Sequence, residues 1–468
     1  MELFIERSGD EGLAGRERVL AMAAVMTSTT MAVFDGVIVN VALPPIAHAL
    51  SVPAQSAVWV ANGYLLSAAM TLAIFAALAR RFGFRALFAF GLGLFTLASL
   101  GCALSSSLTM LTGWRIVQGV GGATTLSIAP AILRSVFPNR LLGRILGLHA
   151  LLIAASTAIA PVLGGTLLSL LSWQWLFAIN IPLGIIALTL TLRAIPDNRA
   201  PGREPFDIAG AGLSALMLGG LIMAANVFSR PGQAETQLWT AAGYGSVAIA
   251  AGLAFIWHQR RAPKPLLPLS LFASTRFSLA ALTSLASFVS QGMTFIALPF
   301  LFQSVYGYSV FDSALLFTPW PLGIMLAAPH AGRLADRYPA AVISTVGLAL
   351  FALGLTLLAL LPEQPHAWDI GVRSLLCGIG FGCFQSPNNR EMLANASREN
   401  SGYASGVLAI MRTFGQCLGG ALVGVIMSIL APAGAQAAHA VRLSLWLAVL
   451  ATVLALLFSL SRIRKQPD

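Results

Sequence analysis

The sequence predicts an all-α polytopic membrane protein. Two six-helix bundles are related by a parallel pseudo-two-fold repeat, with two extra helices inserted between them, giving about 14 spans. Three observations carry this expectation. The chain of 468 residues is 57% hydrophobic and only 10% charged, where a soluble domain carries about 25% charged residues. Its apolar stretches are repeatedly long enough to cross a bilayer, which takes roughly 20 residues. Short motifs of the first half recur, in order, in the second.

The apolar stretches run 19–43, 57–78, 86–104, 108–134, 144–170, 175–193, 208–228, 238–257, 276–303, 312–331, 340–361, 370–390, 402–430 and 441–461. Basic residues test this order, because positive charge collects in the cytosolic loops of membrane proteins. If the N-terminus is inside, only Arg230, Arg373 and Arg442 fall in outside loops, and only Arg115 and Arg412 fall within spans. Every other Lys and Arg falls on the inside. The expected layout is a cytosolic tail at 1–18, a first bundle at 19–193 and two linker helices with their loops at 194–275. A second bundle follows at 276–461, then a cytosolic tail at 462–468. Both termini are expected in the cytosol.

The net charge of +11 is thereby accounted for as topology, and a nucleic-acid partner is not expected. Cys102, Cys377, Cys383 and Cys417 lie in apolar runs without metal-ligand spacing and read as packing residues. There is no HExxH, no G-x-S-x-G, no clustered carboxylates and no Walker A sequence. The chain is therefore not expected to be an enzyme, to hold a metal or cofactor, or to use ATP.

The repeat supports the bundle reading. Ala42-Leu43-Pro44 closes the first span and Ala297-Leu298-Pro299 the ninth. Leu78-Ala79-Arg80-Arg81 follows the second span and Leu334-Ala335-Asp336-Arg337 the tenth. Gly119 and Gly121 match Gly378 and Gly380, and Gly164-Gly165 match Gly419-Gly420. The offset is nearly constant and skips an even number of spans, so the halves share one orientation. Parallel repeats of this kind rock about a central site.

Asp35 stands apart. It lies inside the first span, in Phe34-Asp35-Gly36-Val37-Ile38-Val39-Asn40-Val41-Ala42-Leu43-Pro44, whereas the other carboxylates fall in loops, tails or span ends. A lone charged carboxylate in hydrocarbon costs about 3 kcal/mol, and no sequence neighbour pairs with it. Burial favours a carboxylate's neutral form, so a proton-binding group facing a central cavity is expected here. The alternative is an aspartate held by hydrogen bonds at a helix interface. Arg115 and Gln118, three apart in Trp114-Arg115-Ile116-Val117-Gln118-Gly119-Val120-Gly121-Gly122, share a helix face. Arg115 is the expected electrostatic partner of Asp35. Arg412 lies mid-span in the second half, and the positions matching Asp35 there fall near Ser290 and Gln291. The fifth span carries His149, a secondary relay candidate, and a stripe of Ser156, Ala160, Pro161, Gly164 and Gly165 that permits close packing and a bend.

These motifs resemble the major facilitator superfamily and, more closely, its drug:proton antiporters with fourteen spanning helices. The resemblance covers nearly the whole chain. The acid followed by the V-N-V-A-L-P run is the most specific match, and it implies that Asp35 binds the coupling proton. The loop at 76–88, with Arg80, Arg81, Gly83 and Arg85, is similar to the G-x-L-x-D-R-x-G-R loop motif. Ala76 replaces its first glycine and Arg80 its acid, so the family's gating contact there is expected to be absent or remade. The second copy keeps Gly332, Asp336 and Arg337. The fifth-span stripe resembles the antiporter motif, with Ser156 and Ala160 in place of glycines. The run Trp175-Leu176-Phe177-Ala178-Ile179-Asn180-Ile181-Pro182-Leu183-Gly184 resembles the sixth-helix motif and marks membership.

The resulting expectation is a proton-coupled efflux antiporter exporting small amphipathic compounds by alternating access, driven by the proton gradient. The alternative is a proton-coupled symporter or facilitator for uptake of a small organic solute. Candidate cavity residues are Asn40, Trp59, Asn62, Tyr64, Gln118, Gln291, Phe295 and Arg412, with Gln303 and Trp320 beside them. One membrane carboxylate points to neutral, zwitterionic or monocationic substrates. The expected setting is a bacterial inner membrane, with protons, lipid and a small molecule as partners. The chain is expected to work as a monomer, with a periplasmic adaptor as a candidate further partner.

Overall fold

The computed structural model describes residues 12–196, 206–227, 234–263, 265–267, 269–335, 337–395, 401–430 and 437–464. Among them are 14 helical segments long and apolar enough to cross a membrane, and no strand. The first half holds α1 (Gly15–Ala49), α2 (Ala54–Phe82), α3 (Phe84–Ala103), α4 (Leu108–Val136), α5 (Asn139–Leu170), α6 (Trp175–Ala178) and α7 (Asn180–Ala194). Two helices follow, α8 (Ile208–Asn226) and α9 (Ala234–Gln259). The second half holds α10 (Thr275–Phe300), α11 (Val310–Phe317), α12 (Pro319–Leu334), α13 (Ala340–Ala359), α14 (Ala367–Ala394), α15 (Ser401–Leu430) and α16 (Ala437–Arg464). α6 with α7 makes one span, and α11 with α12 makes another. α1 begins at Gly15, inside the stretch expected to be tail.

Local chemistry sets the ends. Ser107 and Ser274 cap α4 and α10 by accepting the Met110 and Phe277 backbone N–H. Gly83 joins α2 to α3 at φ 88°, a left-handed conformation that favours glycine. Asp312, expected at a span end, sits in the first turn of α11, where the Ser309 hydroxyl caps its backbone N–H and donates to its carboxylate at 2.7 Å. Pro299 precedes a π-wound turn at Leu301–Val305.

The repeat is visible in how the halves pack. A Cβ on Gly119 would overlap the Tyr64 carbonyl of α2, and one on Gly378 the Trp320 carbonyl of α12. Gly121 is backed by Gly91 and Phe95 of α3, as Gly380 is by Gly347 and Phe351 of α13. The double glycines divide their work in the same way. Gly164 abuts Ile38 within its own half and Gly419 abuts Val289 within its own. Gly165 then meets Ala314 of the other half, and Gly420 meets Asn62.

Asymmetry between the two ends positions the site. One apolar cluster draws on both halves, with Val39, Leu43, Ile46 and Val58 joined to Ile296, Leu298 and Phe317. Those first-half residues lie away from the termini. Toward the termini each half keeps a separate cluster, around Phe88 and Ile132 in one and Phe277 and Val407 in the other. Glu391 accepts there from buried Arg462 at 2.8 Å, tying α14 to α16. α8 lies over the seam between α2 and α15, where Ile222 packs with Leu66, Ala69, Phe414 and Cys417. Asp207 caps α8 through the Gly210 N–H at 2.8 Å and clamps α9 through Gln259 at 2.7 Å and His258 at 2.6 Å.

Close helix approach predicts a contrast between glycines. Gly378→Ala drives a methyl group into backbone and costs about 1–3 kcal/mol by overpacking. Gly93, with nothing within 4 Å of its Cβ position, accepts alanine with no loss of stability. The check is the detergent melting temperature and monodispersity of the two variants. Equal behaviour would contradict the packing assigned to Gly378.

Candidate functional site

Asp35 sits where α1 passes α2, α3, α4 and α7. It is 1% exposed, as is Arg115. Arg115 Nη1 donates to Asp35 Oδ2 in a direct ion pair. Asp35 Oδ1 accepts from Gln118 Nε2 at 3.0 Å and from Asn180 Nδ2 at 3.0 Å. The cation is equally committed: Arg115 Nε donates to the Val60 carbonyl at 2.8 Å and Nη1 to Gln118 Oε1 at 2.6 Å. Gln118 Nε2 also reaches Ser99 Oγ at 2.8 Å. The guanidinium lies 4.5 Å from the Tyr64 ring centroid and 5.5 Å from that of Phe177, within cation–π range.

A cavity of about 510 Å³ opens between the halves, within the size range of small-molecule sites. Both halves line it, from Gly36, Asn40, Tyr64 and Thr157 to Gln291, Phe295, Gln385, Asn389 and Arg412. It extends from the middle of the spans toward the end that holds the termini. At the other end Gln303 Nε2 donates to the Val41 carbonyl at 3.1 Å, helping to close the halves together.

The ion pair is not on the cavity wall. Asp35, expected to face the cavity, points into its own bundle because Arg115, Gln118 and Asn180 all converge there. Tyr64 stands between: its ring stacks on Arg115 and also lines the cavity. The Tyr64 hydroxyl is buried without a hydrogen-bond partner among the described residues and lies where a Cβ on Gly122 would fall.

Among the other candidates, Asn40, Tyr64, Gln291, Phe295 and Arg412 line the cavity. Trp59, Asn62 and Gln118 do not. Trp59 packs into the apolar seam of α2, α8 and α15. Asn62 is 0% exposed and wedged against Gly420, and Gln118 is consumed by the ion pair. Gln303 closes the far end and Trp320 is buried among Phe295 and Phe351. His149 is held by Thr29 Oγ1 at 2.9 Å. Ala160 and Pro161 lie in α5, Ala160 fully buried, and Gly164 and Gly165 bring that helix against α1 and α11.

Of the loop residues, Arg85 donates to the Leu192 carbonyl, Gly332 faces Ser386 and Arg337 is exposed. Asp336 and the side chains of Arg80 and Arg81 lie outside the described residues. Asn180 was missed as a ligand of Asp35. Its signal was available, since an amide inside an apolar span needs a partner.

The model for the Major Facilitator Superfamily matches residues 25–420. An uncharacterized transporter, YebQ, of Escherichia coli K12 is 42% identical over 419 residues, covering 89% of this chain and 91% of that protein. The multidrug resistance protein Stp of Mycobacterium tuberculosis is 30% identical over 415 residues, 88% of this chain and 76% of that one. The crystal structure of an auto-inhibited POT family peptide transporter superposes with a TM-score of 0.73 at 16% identity, over 97% of this chain and 98% of that one. At that identity the likeness speaks to the fold.

Removing one partner of a buried pair strands the other, at about 3–5 kcal/mol. Arg115→Gln is therefore expected to lower the melting temperature in detergent markedly. Adding Asp35→Asn to that variant restores most of the loss. An Arg115→Gln variant as stable as wild type would show that the bundle does not lean on the pair.

Proposed function

The chain belongs to the major facilitator superfamily, and on that premise we propose that it is a proton-coupled exporter of small amphipathic compounds. The carrying observation is the buried Asp35–Arg115 pair, one aromatic ring away from the cavity between the halves. A carboxylate so placed can exchange its counter-charge for a proton when the cavity changes sides. The similarity to a multidrug resistance protein supports the export direction, and the small-residue stripe of α5 agrees with it.

Under this reading the protein lies in a bacterial inner membrane with both termini in the cytosol, as the basic loops favour. Substrate enters the cavity from the cytosolic end while Asp35 is ionised and paired. The halves then rock and the cavity faces outward. Protonation of Asp35 from outside weakens its hold on Arg115 as substrate departs. The neutral carboxyl makes the return cheap, because no charge is left for Arg115 to seek on α1. Proton release to the cytosol re-forms the pair. With Asp35 neutral, the Val60 carbonyl and Gln118 Oε1, which accept from Arg115 in this structure, remain as its acceptors. Tyr64 separates proton path from substrate path, and its displacement links them.

Asp35→Asn keeps the shape and the neutral hydrogen bonds. It is expected to abolish resistance across a toxic-compound panel in a pump-deficient bacterial host, with membrane expression unchanged. Undiminished resistance would sink the coupling role. A compound selected by that panel is expected to alkalinise the lumen of acid-loaded inside-out vesicles, and acidification would instead mean symport. In proteoliposomes without substrate, Tyr64→Ala is expected to leak protons while Tyr64→Phe stays tight. Equal leak in wild type and Tyr64→Ala would remove Tyr64 from this role.

A further inference from the structure

Resting on the exporter reading above, we propose that the cavity selects amphipathic organic anions, with Arg412 as the group that binds the carboxylate, sulfonate or phosphate. Arg412 is the one charged side chain among the described residues that line the cavity. It has no hydrogen-bond or ion-pair partner among the described residues. A guanidinium is permanently charged and carries five donors in a planar fork. Leaving it unpaired at membrane depth is unfavourable, and a ligand with two acceptor oxygens relieves that cost by bidentate bonding.

The rest of the wall fits the same ligand. None of the carboxylates among the described residues lines the cavity, and Asp35 is already neutralised inside its own bundle. A cation entering here meets Arg412 and nothing of opposite charge. The neutral polar groups are amides and hydroxyls, with Thr157, Ser386 and Thr413 on the wall and Gln416 Nε2 donating to Gln291 Oε1 at 2.8 Å beside Arg412. Phe288 and Phe381 meet edge to face at 5.4 Å and, with Phe295, make the backing of the cavity aromatic and apolar. An anion preference departs from the expectation of neutral, zwitterionic or monocationic substrates, because the one membrane carboxylate does not line the cavity.

Charge selection can be read without a proton gradient, so its failure is separable from failure of proton coupling. The purified full-length chain in phosphatidylcholine nanodiscs is titrated into fluorescein and into rhodamine 123, which share a xanthene frame and differ in charge, with anisotropy as readout. Fluorescein is expected to bind more tightly. Arg412→Gln weakens fluorescein about tenfold or more and leaves rhodamine 123 equal or improved, while Arg412→Lys retains the anion preference. Tighter binding of rhodamine 123 to wild type, or fluorescein affinity unchanged in Arg412→Gln, overturns the proposal. The titration is repeated in phosphatidylglycerol nanodiscs. Fluorescein affinity retained there supports a small-molecule anion, and its loss there alone assigns Arg412 to an anionic lipid headgroup and overturns the substrate reading. Should Arg412→Gln not fold, the wild-type comparison of the two dyes still decides.

Discussion

The contact between Asp35 and Arg115 removes two formal charges from water at the centre of a membrane bundle. Such a pair is tolerated only when its remaining donors and acceptors are also met. Here Val60, Gln118, Asn180 and, through Gln118, Ser99 meet them. These groups come from α2, α3, α4 and α7, while Asp35 comes from α1. Satisfying one ion pair therefore fixes the approach of most helices in the first half. The glycines of α4 are needed for the same reason. Gly119 and Gly121 let α4 come close enough to α2 and α3 for its arginine and glutamine to reach.

The repeat copies this scaffold without copying its charge. α12, α13 and α14 pack through Gly378 and Gly380 as α2, α3 and α4 do. The positions matching Asp35, however, fall near Ser290 and Gln291, and the Ser290 hydroxyl bonds the Ala448 carbonyl and Thr452 at 2.8 Å. The second half spends its one membrane-centre charge differently, placing Arg412 on the cavity wall. The ion pair of the first half thus stays inside its own bundle while Arg412 of the second half faces the cavity, and the Tyr64 ring lies between the pair and the cavity. The same division of labour appears in the double glycines, where one glycine serves its own bundle and the next serves the seam.

Much of the scaffold was legible in residue patterns. The spans appear at nearly their expected places because hydropathy over a span length is a local property of the chain. The repeat was legible because close helix contacts demand glycine at fixed positions, and Gly119, Gly121, Gly164 and Gly165 keep their counterparts. Asp35 and Arg115 were legible as partners because each is a charge in hydrocarbon needing the other. Trp59 and Asn62 were misplaced because a polar or aromatic residue in a span gives its helix but not its azimuth. Asn180 was missed because its partner lies far along the chain, on α1.

By itself, then, the sequence determined the membrane class, the doubled architecture and the presence of one carboxylate and two arginines at membrane depth. Composition and spacing suffice for those, since the bilayer penalises charge wherever it falls. Only the tertiary structure decided which way each charge faces. Five converging helices turn Asp35 inward against Arg115, and the absence of any carboxylate among the described cavity residues leaves Arg412 facing the open space. Orientation depends on which groups from distant helices satisfy a side chain, and that is settled by packing.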